Sequence, residues 1–278
     1  MSPVVSVITV SYNAEAVIEK TIQSVLCQSY TSYEYIFIDG NSKDDTVAVI
    51  ESYRDRFEAR GISYRVTSEP DGGIYDAMNK GIRQAEGSWV IMLNAGDCFA
   101  DSQVLNDVFS MADLDGKILY GDTILKYVRA NTAYYKSSPA SPAEKMQECL
   151  PFCHQSVFVP GELLKEYAFD TGLRLAADYK FFVQAYKAGK RFLHVPRFIS
   201  IYDCSGISST NHEKLAAEYD VIKKELFADP KPNPEEWQKN AVNEAIKNII
   251  KAILPGIVYS KARGWYKTPD FYKNRESS

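Results

Sequence analysis

The sequence predicts an α/β fold, a mainly parallel sheet flanked by helices with a helical extension at the C-terminus, and three observations predict it. Short apolar runs alternate with segments of helical periodicity, the pattern of strands joined by crossover helices. Three of those runs end in polar loops that contain Asn13, Asp39 and Asp97. The composition, 278 residues with 45% hydrophobic and 24% charged content, suits one large globular domain or two small ones and not a disordered chain.

Residues 4–10 form the first expected strand, and Asn13 is placed to cap the helix that follows. In that helix Val17, Ile18, Ile22, Val25 and Leu26 recur at helical spacing and make the face that packs on the sheet. A second strand at 33–38 ends at Asp39-Gly40-Asn41-Ser42, after which Asp44 or Asp45 starts a helix through Tyr53. A third strand at 62–67, a helix at 74–85 and a fourth strand at 89–93 complete the alternating part.

The formal net charge of −4 argues against a nucleic-acid partner, which normally calls for a basic domain or stripe. The N-terminus has no basic region ahead of its apolar run, and no stretch there has the length a bilayer demands, so a cytoplasmic protein is expected. Five cysteines without a regular framework fit a reducing compartment. Cys149, Cys153 and His154 match no common zinc spacing.

Ligands of open α/β sheets bind beyond the carboxyl ends of the strands, where the loops of Asn13, Asp39 and Asp97 would converge. No G-x-G-x-x-G or phosphate-binding glycine loop follows the first strand, so a nucleotide must be held otherwise. A carboxylate after the second strand can take ribose hydroxyls or a base N–H. One after the fourth can hold a divalent cation that neutralises a diphosphate.

The segments VSVITVSYNAEAVIEKTIQSVLCQSY, EYIFIDGNSKDDT, SEPDGGIYDAMNKGI, GSWVIMLNAGD and LRLAADYKFF, in that order and spacing, resemble the family 2 glycosyltransferases of the GT-A fold over about residues 3–210. The resemblance implies a GT-A-like, nucleotide-binding sheet and transfer of a sugar from a nucleotide-diphosphate donor, usually with inversion. A UDP-sugar is the expected donor, and Mg²⁺ or Mn²⁺ the expected cofactor. EPDGGIYDAMNKGI and LNAGD are most similar to bacterial enzymes of surface polysaccharides such as capsule, colanic acid or O-antigen, whose acceptor is a saccharide or a lipid-linked saccharide.

Carried over residue by residue, Thr9, Tyr12 and Asn13 flank the nucleotide, Asp39 holds base or ribose, and Asp71 also touches the nucleotide. Relatives usually carry Asp-x-Asp where this chain has Asn94-Ala95-Gly96-Asp97. Asp97 is then the metal ligand and Asn94 a neutral partner for a ribose hydroxyl, with metal and donor expected to bind together. In DAMNKG, Met78 stands where relatives often have arginine, leaving Asn79 and Lys80 on the donor side. Asp178 occupies the position of the catalytic base, at the start of a helix whose Phe181, Phe182 and Ala185 pack inward. His154 and Gln155, in CHQSVF, resemble acceptor-side residues, as does CSGISS at 204–209, and His212 reads as structural.

The expected domains are 1–212, the glycosyltransferase unit, and 213–278, the helical extension. Helical patterns at 213–227 and 234–254 are separated by the prolines of ADPKPNP. Residues 240–268 interleave lysine and arginine with Ile249, Ile250, Trp265 and Tyr266. Such a segment suits peripheral contact with the inner face of a membrane, or packing on the catalytic unit or a second subunit. Asn94 and Met78 keep a catalytically impaired scaffold protein as the alternative function. A nucleotidyltransferase is disfavoured, because no glycine-rich basic signature lies near the N-terminus.

Overall fold

The computed structural model describes residues 4–129, 132–204 and 211–227. β1 (Val5–Ser11), β2 (Tyr33–Asp39) and β3 (Ser63–Ser68) are parallel, and β4 (Trp89–Met92) returns to the other side of β1, giving the order β3-β2-β1-β4. The order reverses between β1 and β4, which opens a crevice beyond their carboxyl ends. The crossovers are α1 (Glu15–Leu26), the pair α2 (Thr46–Glu51) and α3 (Arg54–Glu58), and α4 (Ile74–Gln84). The helix expected up to Tyr53 is α2, which stops at Glu51, where the Ser52 hydroxyl bonds back to the Val49 carbonyl at 2.7 Å and competes with the helical ladder; α3 lies beyond the expected end.

Beyond β4 the sheet is mixed. β8 (Val157–Pro160) is antiparallel to β4 and to the long β6 (Lys117–Arg129), β9 (Arg191–Asp203) runs parallel to β6, and β5 (Cys98–Phe99) closes that edge against β9. β7 (Thr132–Ser138) forms a hairpin with β6. α5 (Val104–Phe109), α6 (Gly161–Glu166) and α7 (Ala177–Lys187) cover this half. The parallel order foreseen from alternation therefore holds for the first four strands. The rest pair over long sequence separations that a period-2 pattern does not encode.

Both faces of the sheet are covered, which is why its inner strands are mostly apolar and fully buried. Val7, Tyr35 and Phe37 meet Ile18 and Ile22 of α1 on one face, while Ile8, Ile36 and Ile38 meet Met78 and Ile82 of α4 on the other. Each such fully buried side chain contributes roughly 1.5–3 kcal/mol.

The last described helix, α8 (His212–Leu226), presents Leu215, Tyr219, Ile222 and Leu226 at helical spacing and lays them on α7. Tyr219 stacks on Tyr179 with ring centroids 4.1 Å apart, Ile222 is fully buried, and Lys180 of α7 pairs with Glu225 at 2.8 Å. The helix expected at 234–254 and the basic stretch 240–268 lie outside the described residues. Among the described residues no helix is long and apolar enough to cross a membrane.

Candidate active site

One end of the crevice is built by the loops after β1 and β2. Asp39, the last residue of β2, is fully buried. Its oxygens accept from Ser11 Oγ (3.0 Å), Ser42 N (2.8 Å) and Oγ (2.5 Å), and Ser68 Oγ (2.7 Å). A carboxylate has about four acceptor positions, so all are taken by the chain, and a nucleotide hydroxyl that reaches Asp39 must displace a serine. Asp71 accepts the Gly73 N–H at 2.8 Å through Oδ1, while its Oδ2 stands 2.7 Å from where a side chain on Gly40 would begin. Tyr12, 64% exposed, borders the same point at 3.2 Å, so Tyr12, Gly40 and Asp71 form one wall.

Four of the residues expected near a donor are held by the chain itself. Asn13 does not cap α1, since its φ of +47° turns it away and Ala14 holds the cap position; its Oδ1 accepts the Lys43 N–H at 2.9 Å and ties the two loops together. Thr9 is fully buried inside the sheet, its hydroxyl donating to the Leu93 carbonyl at 2.7 Å and lying 3.1 Å from the Tyr35 hydroxyl, so it does not reach the crevice. Asn79 spends both ends of its amide on the backbone of Phe169, at 2.8 and 2.9 Å. Lys80 is engaged locally by Glu69 and the Pro70 carbonyl, each at 2.8 Å.

The turn after β4 lies across the crevice from that wall. Its backbone continues the pairing with β1, the Ala95 N–H donating to the Val10 carbonyl at 3.1 Å. Gly96 then takes a φ of +103°, a region that favours glycine, and the chain doubles back so that Asp97 points inward, 4% exposed. Burial pushes the Asp97 carboxyl up to about 7, opposed by the Asp203 N–H, which donates to Oδ1 at 2.9 Å, and by the Gln155 amide. The carboxylate of Asp203 in turn holds Lys20 of α1 at 2.9 Å and Lys126 of β6 at 3.0 Å. Asn94 Oδ1 is buried without a hydrogen-bond partner. Among the described residues no three His, Cys, Asp or Glu side chains gather as a metal cage. The chain therefore offers a cation one carboxylate and one amide oxygen, both hard donors of the kind Mg²⁺ and Mn²⁺ prefer.

Asp178, in the first turn of α7, is 8% exposed. Its Oδ1 accepts from the Tyr75 hydroxyl at 3.1 Å, and its Oδ2 lies 3.0 Å from His154 Nδ1. It does not cap its own helix. The turn that leads into α7 is secured from α8 by Glu218, whose carboxylate accepts the N–H groups of Arg174, Leu175 and Ala176 at 2.8–2.9 Å. Gln155 is buried, accepts the Cys153 thiol at 2.7 Å and reaches Asp97 with its amide. The 3-10 turn His154–Ser156 thus delivers one side chain to Asp178 and the next to Asp97.

Sequence reasoning missed Tyr75, Asp203 with its two lysines, and Glu218. Tyr75 is the tyrosine of the Gly-Gly-Ile-Tyr-Asp run itself. Glu218 looks like one charge on an exposed helical face, and only the fold brings it to α7. Of CSGISS, residues 205–209 lie outside the described residues. His212 is exposed at the start of α8.

The model of Glycosyl transferase family 2 matches residues 6–193. A PGL/p-HBAD biosynthesis glycosyltransferase of Mycobacterium bovis is 26% identical over 219 residues, covering 77% of this chain and 82% of that protein. An uncharacterized glycosyltransferase of Mycobacterium tuberculosis is 33% identical over 191 residues, covering 66% of this chain and 69% of its own length. Among solved structures, S. aureus TarS in complex with UDP-GlcNAc superposes with a TM-score of 0.63 at 18% identity, covering 89% of this chain and 72% of that one. The mannosyltransferase PcManGT of Pyrobaculum calidifontis, in complex with GDP-Man and Mn2+, gives 0.60 at 18% identity, covering 88% and 69%. The two superpositions establish the GT-A-like fold, and with the family match over most of the chain they lead to one conclusion: this protein is a glycosyltransferase and belongs to Glycosyl transferase family 2.

Proposed function

We propose that the protein transfers a sugar with inversion from a nucleotide-diphosphate sugar, a UDP-sugar by expectation, to a hydroxyl of a saccharide or lipid-linked saccharide in surface polysaccharide biosynthesis. The observation that carries this reading is Asp178, a carboxylate at the crevice steadied by a hydroxyl on one oxygen and an imidazole on the other. Each oxygen keeps a lone pair. One of them takes the acceptor proton as the acceptor oxygen bonds to the anomeric carbon and the bond to the diphosphate breaks, its electrons leaving with the diphosphate. TarS with UDP-GlcNAc and PcManGT with GDP-Man and Mn2+ support a nucleotide-sugar donor on this fold.

Tyr12 and Asp71 line the donor end, with Asp39 behind them. Asn94 and Asp97 would hold Mg²⁺ or Mn²⁺, Asn94 Oδ1 being the buried oxygen that lacks a partner. A cation held there would supply the positive charge that neutralises a leaving diphosphate. A cytoplasmic location, at the inner membrane face for a lipid-linked acceptor, belongs to the same proposal.

The test is a thermal-shift panel of UDP-, GDP- and dTDP-sugars with and without Mn²⁺, on wild type and Asp97→Ala. A ligand at 100 times its dissociation constant adds about 2.7 kcal/mol to stability. Stabilisation of wild type by one nucleotide class with metal, lost in Asp97→Ala, is the expected result. No shift by any nucleotide defeats the donor assignment, and donor binding without turnover leaves a nucleotide-binding scaffold.

A further inference from the structure

His154 stands between two unlike environments. Its Nδ1 lies 3.0 Å from Asp178 Oδ2. It also lines a cavity of about 10 Å³ whose other walls include Val90, Met92, Val159, Phe169 and Phe182. Its Nε2 is buried and has no hydrogen-bond partner. So small and apolar a space does not suit a water, which needs two to four polar partners of its own. A bare buried ring nitrogen carries its full desolvation penalty, and an apolar ring would meet the same walls without it. An apolar ring would lose the contact to Asp178 and the weaker electrostatic pull of the imidazole on Asp97.

We infer that His154 is a positioning residue for Asp178, its Nδ1–H fixing Oδ2 while the Tyr75 hydroxyl fixes Oδ1. An ionised carboxylate only accepts, so the hydrogen lies on Nδ1. Two donors from separate elements, α4 and the turn before β8, set the plane of the carboxylate and leave one lone pair of each oxygen for the acceptor. The cost at Nε2 is tolerated because the opposite nitrogen orders the base. This rests on the reading of Asp178 as the base, and no covalent step involves His154.

The test uses the full chain with Mn²⁺ and follows nucleotide release from UDP-N-acetylglucosamine, GDP-mannose and dTDP-glucose, with water as acceptor. His154→Phe should unfold at or above the wild-type temperature. Its kcat should fall on the order of 10–100-fold, with KM for the donor changed by less than about twofold. His154→Asn, whose amide N–H replaces the Nδ1–H, should recover most of the rate, and His154→Gln, whose amide is carried toward the cavity, should not. A kcat for His154→Phe within about threefold of wild type overturns the inference. So does His154→Asn performing no better than His154→Gln, a comparison that stands even if the phenylalanine variant does not fold. An inert Asp178→Asn beside a fully active His154→Phe removes the inference alone. An active Asp178→Asn, or no release from any donor by wild type, removes the base assignment and the inference with it.

Discussion

The carboxylates Asp39, at the end of β2, and Asp97, in the turn between β4 and β5, are both buried, yet their surroundings are opposite. Asp39 meets four donors supplied by three serines, and its loop is a finished hydrogen-bonded structure. Asp97 has the Asp203 N–H and the Gln155 amide, a carboxyl pushed up to about 7 by burial, and beside it an Asn94 oxygen with no partner. Buried polar groups are normally satisfied, so unmet capacity marks the places where something else completes the site. On the proposed reading, the donor wall at Asp39 is ordered in advance and the reaction end at Asp97 keeps unmet hydrogen-bonding capacity.

That contrast predicts that substitutions at the reaction end change chemistry and pH response, while those at the donor wall change stability. The largest effect belongs to Asp178→Asn. It should lower kcat on the order of 10²–10⁴-fold with donor affinity retained, and a variant that keeps normal turnover removes Asp178 as the base.

Next is Asp97→Asn. Burial pushes the folded carboxyl up to about 7, above the ordinary aspartate value of about 4. A raised value means that Asp97 contributes stability below about pH 4 and loses it as the pH climbs through 7. Without metal or donor, the variant should therefore gain on wild type across that window, on the order of 4 kcal/mol at most. Urea midpoints measured from pH 4 to 8 that stay parallel for the two proteins contradict this.

Asp39→Asn should cost about 3 kcal/mol, since one acceptor oxygen replaces two and serine hydroxyls are left facing an amide. An unchanged urea midpoint would falsify the view that the donor wall is held by this carboxylate. The smallest effect is that of Glu218→Gln, about 2 kcal/mol of stability with a fall in kcat of roughly fivefold, because three backbone N–H groups lose a charged acceptor. Equal loss of donor affinity and turnover would mean that Glu218 supports the fold as a whole and not the turn of Asp178.

The same contrast explains what was legible in the sequence. β1 to β4 and their crossovers are local units with the right period, so their existence and order followed from apolar runs and turn residues. Asp97 and Asp178 stood out only through the resemblance of NAGD and LRLAADYKFF to the family, because a carboxylate at a strand-ending turn or a helix start is ordinary by itself. Thr9 and Asn79 were misplaced because a polar residue in an apolar run reads equally as a ligand contact and as an internal tie, and only the Leu93 and Phe169 backbones decide it. The meeting of His154 with Asp178 needs β8, α7 and α4 to converge, and nothing in the local pattern of CHQSVF specifies that.

The matched family segment ends at residue 193, whereas Glu218 lies in α8 and Asp203 at the end of β9. A protein shortened to the matched segment would keep Asp97 and Asp178 but lose the N–H that Asp203 gives to one and the carboxylate that secures the turn of the other. Any minimal recombinant form, or any exchange of acceptor halves between relatives, has to carry the chain through residue 227 as a single piece.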